Sequence, residues 1–169
     1  MLAAAATPAS AAPSCRMPGG RVVATGAVAK LVAVPTPLGS ALYACIRRTG
    51  RKVALDDGYT DARVAGRWAA WQRPGRTGKW RIVVHDLRTG KERLVIGRVA
   101  AHSLKLTTRG SIAWAEQLDG SDATPLYANE PGVGGRLLDN GDVEAASVRL
   151  EGRLLSWVAG GVEYSNLLR

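Results

Sequence analysis

The sequence predicts an all-β fold made of about four copies of one small antiparallel sheet, and three observations support this prediction. First, Trp71, Trp114 and Trp157 follow one another at intervals of 43 residues, and each closes a short motif that opens on a glycine. A fixed period of this length is typical of repeat architectures. Second, segments between these marks alternate apolar and polar residues, which favours strands. Third, Thr-Gly, Asp-Gly and Asn-Gly pairs punctuate the chain and admit the positive φ of hairpin turns.

Two further repeats accompany the tryptophans. Leu42-Tyr43-Ala44 recurs as Leu126-Tyr127-Ala128, and Glu163-Tyr164-Ser165 takes the same place in the last unit. Arg48-Thr49-Gly50-Arg51 recurs as Arg88-Thr89-Gly90-Lys91 after 40 residues. These marks divide one domain, residues 16–169, into units 16–58, 59–99, 100–142 and 143–169.

Each unit is predicted to contain four strands, except the last, which contains three. In residues 80–86, for example, Trp80, Ile82 and Val84 are apolar on one face, whereas Arg81 and His85 interrupt the other. The same reasoning predicts the following strands in chain order: 21–25, 28–34, 40–47, 51–55, 61–65, 67–72, 79–86, 92–96, 102–107, 111–116, 124–129, 135–138, 144–150, 153–158 and 162–168.

Four antiparallel strands in a unit of roughly 40 residues match the size of one β-propeller blade. The segment Arg81-Ile-Val-Val-His-Asp-Leu-Arg-Thr-Gly-Lys91 resembles the third strand and hairpin of WD-repeat-like and TolB-like propellers. The Gly-His and Trp-Asp pairs of true WD repeats are missing from the sequence. The resemblance covers residues 21–169 and implies a propeller-like fold, used as a binding platform, with no individual site residue carried over.

The tryptophans have a packing explanation in such a fold. Both faces of a blade must be covered by its neighbours, so one large residue per blade is expected to fill each boundary between blades. Ring closure has three possible arrangements. Residues 21–25 close the ring by completing the short last blade, the chain is an incomplete piece of a longer propeller, or two open copies associate through bare strand edges.

Residues 1–15 are interpreted as a remnant of a secretory signal peptide or as a flexible tail, because they are small and apolar but lack a basic beginning. Cys15 and Cys45 are the only cysteines, and in an exported chain such a pair is most simply a disulfide. The alternatives are two unrelated thiols in a cytosolic protein, or a lipoprotein cleavage site before Cys15. The preferred interpretation predicts an extracytoplasmic or secreted protein. The sequence contains no apolar run of the roughly 18 residues that a membrane span needs.

Charge is unevenly distributed along the chain. The net charge of +9 divides into +14 over residues 16–109 and −5 over residues 110–169. In a propeller blade, the turns after the first and third strands lie on one rim, so the repeated turns place Arg48, Arg51, Arg88 and Lys91 on the same rim. Arg73, Arg76 and Lys79 are expected on the opposite rim.

The basic rim suggests binding of an anionic polymer of the cell envelope, or of another protein. The simpler alternative is a solvated surface that keeps the protein soluble. The sequence contains no zinc-finger spacing, aromatic RNA-binding motif or basic helix, so specific recognition of nucleic acid is not predicted.

No catalytic or cofactor motif is complete in the sequence. Gly75-Arg-Thr-Gly-Lys79 lacks the spacing and the Ser/Thr of a phosphate-binding loop. His85 and His102 are interpreted as solvated residues on outer strand faces. Acidic turns occur at Asp119-Gly-Ser-Asp122 and at residues 139–144, but hairpin turns explain them as well as calcium does.

We therefore assign no catalytic, cofactor or metal residue, and predict a non-catalytic binding or scaffold module. One alternative is a propeller-type hydrolase or lyase with a metal held by channel acids, for which Asp56, Asp61 and Glu144 are candidates. The other is a truncated propeller from a larger enzyme.

Overall fold

Four antiparallel sheets follow one another along the chain in a computed structural model, which describes residues 14–75, 80–96, 101–116 and 123–169. We call these sheets blades 1 to 4. Residues 1–13, which make up most of the predicted signal-peptide remnant or tail, lie outside the described residues, as do the predicted features Arg76, Lys79, Asp119 and Asp122. Within the described ranges, no helix is long and apolar enough to span a bilayer.

The strands agree with the predicted succession to within a few residues. Blade 1 contains β1 Arg21–Thr25, β2 Ala29–Thr36, β3 Gly39–Ile46 and β4 Lys52–Asp57. Blade 2 contains β5 Thr60–Ala65, β6 Trp68–Pro74, β7 Trp80–Asp86 and β8 Glu92–Ile96. Blade 3 contains β9 Ala101–Leu106, β10 Ile112–Glu116, β11 Leu126–Glu130 and β12 Gly134–Asp139. Blade 4 contains β13 Arg149–Glu151, β14 Leu154–Ala159 and β15 Val162–Leu167.

Each blade pairs its strands in sequence order. The first strands of neighbouring blades contact one another, β1 with β5 and β5 with β9, so the first strands lie on the inner side of the assembly. β1 pairs with β2, with Arg21 opposite Ala33 and Thr25 opposite Lys30. The expected closure of the ring by residues 21–25 is therefore wrong, because the hairpin to β2 holds this strand in blade 1.

The segment 144–150 differs from its predicted continuous strand. It contains a 3₁₀ turn, Ala145–Ser147, followed by the short strand β13. The Ser147 hydroxyl donates to the carbonyl of Glu144 at 2.7 Å and accepts from the backbone N–H of Val158 at 2.8 Å. These side-chain bonds replace ladder bonds, which is how serine competes with regular structure.

Three separate hydrophobic cores lie at the three boundaries between consecutive blades, which we call seams. Trp71 lies in the first core, Trp114 in the second and Trp157 in the third. All three indoles are buried, with exposures of 0%, 4% and 5%. The predicted role of the tryptophans, one at each seam, is confirmed.

Each buried indole N–H also has a carboxylate partner. Trp71 donates to Asp56 at 2.7 Å and Trp157 donates to Asp139 at 2.8 Å, and both acids come near the end of the fourth strand of the preceding blade. The sequence carries no acid at the corresponding end of β8, Ile96-Gly97-Arg98. Trp114 instead donates to Glu116 of its own strand at 2.9 Å. Each of these three buried indole N–H groups therefore has a hydrogen-bond acceptor, as buried polar groups usually do.

The predicted disulfide between Cys15 and Cys45 is present, with Cα atoms 5.6 Å apart. Cys45 alternates along β3 with Ala44 of the first core, so it lies on the face of blade 1 that points away from blade 2. Lys52 Nζ donates to the carbonyl of Arg16 at 2.9 Å. Residues 14–20 therefore cover this outward face, and Cys45 is fully buried although none of the described blades packs there. A bonded Cys15 leaves no free thiol for the lipoprotein alternative.

The carboxylate of Glu130 ties the end of blade 4 to blade 3. It accepts from the Arg136 guanidinium at 2.8 Å and from the backbone N–H of Arg169 at 2.8 Å. Burial alone would raise the pKa of Glu130, but these hydrogen bonds and the charges of Arg136 and Arg169 lower it overall. The ionised form is therefore favoured in the folded protein.

A lowered folded-state pKa means that Glu130 stabilises the fold above its ordinary pKa, and that this contribution is lost as the pH falls through the folded value. We expect Glu130→Gln to lower the free energy of unfolding by about 1–3 kcal/mol at neutral pH. The difference from wild type should shrink as the pH falls below 4.5, the ordinary pKa of the side chain. Urea unfolding across this pH range measures it, with the exposed Glu151→Gln as the control. An equal difference at acid and neutral pH would contradict the role of the charge.

β15 is the strand of blade 4 farthest from β13, and among the described residues no strand pairs with its other side. Val162, Tyr164 and Leu167 on this strand are 53%, 45% and 58% exposed. Such an edge favours association. Pairing of two copies through it stays a prediction.

Candidate binding cleft

Two equivalent turns place the repeated arginines on one rim. In blade 1, the N–H of Gly50 donates to the carbonyl of Ile46 at 2.8 Å; in blade 2, Gly90 donates to Asp86 at the same distance. Both glycines have positive φ, 65° and 74°, which side chains disfavour. The backbone N–H of the following residue donates in each case to the preceding threonine hydroxyl at 3.3 Å. The shared Arg-Thr-Gly sequence thus builds the same turn twice, with Arg48 and Arg88 in matching positions.

A cleft of about 610 Å³ lies on this rim, above the first seam. Four turns enclose it: β1–β2 and β3–β4 of blade 1, and β5–β6 and β7–β8 of blade 2. Its apolar lining consists of Ala27, Val28, Ile46 and Leu87. Its polar lining consists of Thr49 and the four arginines Arg48, Arg51, Arg67 and Arg88.

Two of the four arginines are held by protein groups. Arg51 donates to the carbonyl of Leu87 at 2.9 Å and so links blade 1 to blade 2. Arg67 pairs with Asp86 at 3.4 Å, and its guanidinium lies 5.0 Å from the centre of the Trp68 ring. The side chains of Arg48 and Arg88 are exposed, and neither bonds to a group within the described part of the chain. These two guanidiniums are available to a ligand.

Asp86 organises the second turn. Its carboxylate is buried and accepts from the backbone N–H of Arg88 at 2.9 Å. Burial alone would raise the pKa of Asp86, but hydrogen bonds from Arg88 and Thr89 and the charge of Arg67 lower it overall. Asp86 is therefore ionised and orders the backbone that carries Arg88. Asp86 forms its ion pair with Arg67, and within the described ranges neither Arg48 nor Arg88 forms an ion pair with it.

The predicted rim residues are only partly brought together. Arg48, Arg51 and Arg88 line the cleft, whereas Lys91 does not. Arg67 was not among the predicted rim residues, although its motif, Gly66-Arg67, offered a signal. The β5–β6 turn follows a first strand and so lies on the same rim as the turns after third strands. On the opposite rim, Arg73 is paired with Asp56 at 2.7 Å.

The three acids proposed for a channel metal have other partners or positions. Asp56 accepts from Trp71 and Arg73, and Asp61 pairs with Arg63. Glu144 is exposed beside the 3₁₀ turn of blade 4. Across the described ranges, no three His, Cys, Asp or Glu side chains form a group that could hold a metal ion.

The acidic turn that begins at Asp139 and the two histidines lie in different surroundings. Asp139 accepts from Trp157 and from the N–H of Gly141, at 2.8 Å in each case, so packing explains this acid. The prediction of a solvated His85 is wrong: the residue is 7% exposed, lies 6.3 Å from the Trp71 ring and faces Glu92. His102 is exposed, as predicted.

Comparison with known proteins agrees with the architecture. The crystal structure of TolB from Acinetobacter baumannii matches 89% of this chain with a TM-score of 0.54 and 17% sequence identity. The match covers 44% of that chain, so this chain spans less than half the length of the TolB structure. No protein-family model and no curated protein sequence matches the chain. The chain has an all-β, TolB-like propeller fold, which confirms the predicted resemblance.

Proposed function

We propose that this protein is a non-catalytic binding module, and that the cleft over the first seam binds an anionic group of a cell-envelope polymer. One observation carries the proposal. Three cations predicted from sequence share a single cleft with Arg67, and Arg48 and Arg88 have no partner among the described residues. The disulfide supports an extracytoplasmic location, where such a polymer would be encountered.

The geometry favours phosphate-like or carboxylate groups. A guanidinium presents several N–H donors in a planar fork, which suits oxyanions better than a point charge does. Arg48 and Arg88 occupy equivalent positions of two neighbouring blades, so they approach the cleft from opposite sides of the seam. A low density of acidic residues in the basic half of the chain leaves the local field positive.

The test compares two double variants that remove the same charge from the same rim. Arg48→Gln with Arg88→Gln changes the cleft, whereas Lys91→Gln with Arg109→Gln changes exposed rim cations that do not line it. We expect the cleft variant to bind poly(glycerol phosphate) about tenfold more weakly or worse, measured by titration calorimetry. Its salt dependence should also fall by about one unit of log–log slope per arginine. Equal losses in both variants would indicate a merely solvated basic surface and contradict the proposal.

A further inference from the structure

We infer that the cleft takes its anionic group together with an aliphatic chain attached to that group, so that the ligand is an amphiphilic anion. This inference rests on the proposed function, because it concerns the same cleft. It goes further by naming a second chemical feature of the ligand. The argument depends on the walls of the cleft rather than on its charges.

The walls between the arginines are apolar. Val28 lies in the β1–β2 turn and is 41% exposed, although a turn on a solvated rim favours polar residues. Ile46 and Leu87 belong to the first core and form the floor beneath it. An apolar floor with a few polar groups at its margin is the usual composition of a site for an organic ligand. A purely ionic ligand would leave this apolar surface in contact with water.

Contacts between protein groups fix the shape of the cleft. The bond from Arg51 to the Leu87 carbonyl crosses the seam, and the pairing of Arg67 with Asp86 fixes the second blade's margin. Two arginines thus set the shape, and Arg48 and Arg88 remain for the anion. A preformed site loses less conformational freedom on binding.

A second cavity provides a contrast. It measures about 500 Å³ and lies on the face of blade 4 that points away from blade 3. Its lining mixes charges of both signs, hydroxyl groups and two large side chains: Arg149, Glu151, Leu154, Ser156, Glu163, Tyr164 and Ser165. The cleft therefore combines an apolar floor with unpaired cations at its margin, and this second cavity does not.

The experiment measures binding of methyl phosphate, hexyl phosphate and hexanol to the disulfide-bonded protein by titration calorimetry. Each methylene that enters the cleft should tighten binding about fourfold. We therefore expect hexyl phosphate to bind at least about tenfold more tightly than methyl phosphate, and hexanol to bind more weakly than hexyl phosphate. Vesicles containing phosphatidylglycerol form a further arm. Co-sedimentation with them assigns the ligand to a bilayer lipid, and its absence assigns a free amphiphile, and both results agree with the inferred class.

Two serine variants distinguish the contribution of the ligand's aliphatic chain to binding from the contribution of its charge. Val28→Ser should abolish most of the advantage of hexyl over methyl phosphate, measured as the ratio of the two affinities within the same variant. Val133→Ser is the matched control, since Val133 is a 55% exposed residue of the β11–β12 turn that does not line the cleft. Both positions are exposed, so folding should be preserved, and thermal unfolding checks this.

The outcomes distinguish this inference from the proposed function. Equal affinities for methyl and hexyl phosphate, with polymer binding intact, would overturn the aliphatic contact and leave the anion site standing. Equal affinities for hexanol and hexyl phosphate would overturn the role of the charge in the amphiphile. No binding of any anionic probe would overturn both proposals.

Discussion

Trp71→Ala should lower the free energy of unfolding by about 3–5 kcal/mol, the largest single-residue effect that we expect in this protein. The indole is fully buried and is the largest such side chain in the described structure. Truncation would leave a cavity in the first core. It would also remove the hydrogen bond to Asp56, leaving that half-buried carboxylate with the Arg73 guanidinium and the backbone N–H of Asp57 as partners.

Urea unfolding of three variants separates these contributions. Trp71→Phe keeps most of the apolar volume but cannot donate to Asp56, so its stability should lie between wild type and Trp71→Ala. Tyr164→Ala is the control, because this aromatic residue is 45% exposed and its loss should cost about 1 kcal/mol or less. If Trp71→Ala unfolded at the wild-type urea concentration, the seam would not depend on its indole.

Replacing both cysteines by serine should destabilise the fold by about 3–4 kcal/mol. The bond closes a loop with a sequence separation of 30, which restricts the unfolded chain. It also holds residues 14–20 against blade 1. Without it, the outward face that includes Val32, now 2% exposed, would become accessible to water.

The measurement is urea unfolding with and without reductant. Reduced wild type should match Cys15→Ser/Cys45→Ser, and the double variant should be insensitive to reductant. Ala54→Ser, an exposed replacement on β4, provides a control that introduces a hydroxyl without touching the bond. If reduction did not change the free energy of unfolding of the wild-type protein, the disulfide would not stabilise the fold, and other contacts would hold residues 14–20 in place.

The repeat was predictable because its marks are local. The spacing of Trp71, Trp114 and Trp157 and the Arg-Thr-Gly turns are readable in the chain, and they led directly to the strand count and to the seams. The disulfide followed from the presence of two cysteines. These features depend on residue type and spacing, which the sequence displays.

The errors have a different origin, since each depends on contacts between distant residues. β1 stays in blade 1 because its hairpin with β2 outweighs pairing with a far strand. His85 is buried because a neighbouring blade covers its face, which strand alternation alone does not reveal. Arg67 lines the cleft although it was not predicted as a binding residue, because the sequence specifies which rim each turn occupies but not which turns enclose a cavity.

The seams also determine how far the influence of any one position can reach. Because each core joins two adjacent blades only, the molecule behaves as a short linear array with nearest-neighbour coupling. A substitution in the core that contains Trp157 should leave ligand binding at the cleft over Trp71 unchanged. The changes in the free energy of unfolding that substitutions in separate cores cause should be additive. Substitutions can therefore change the amphiphile site on blades 1 and 2 independently of substitutions in blades 3 and 4.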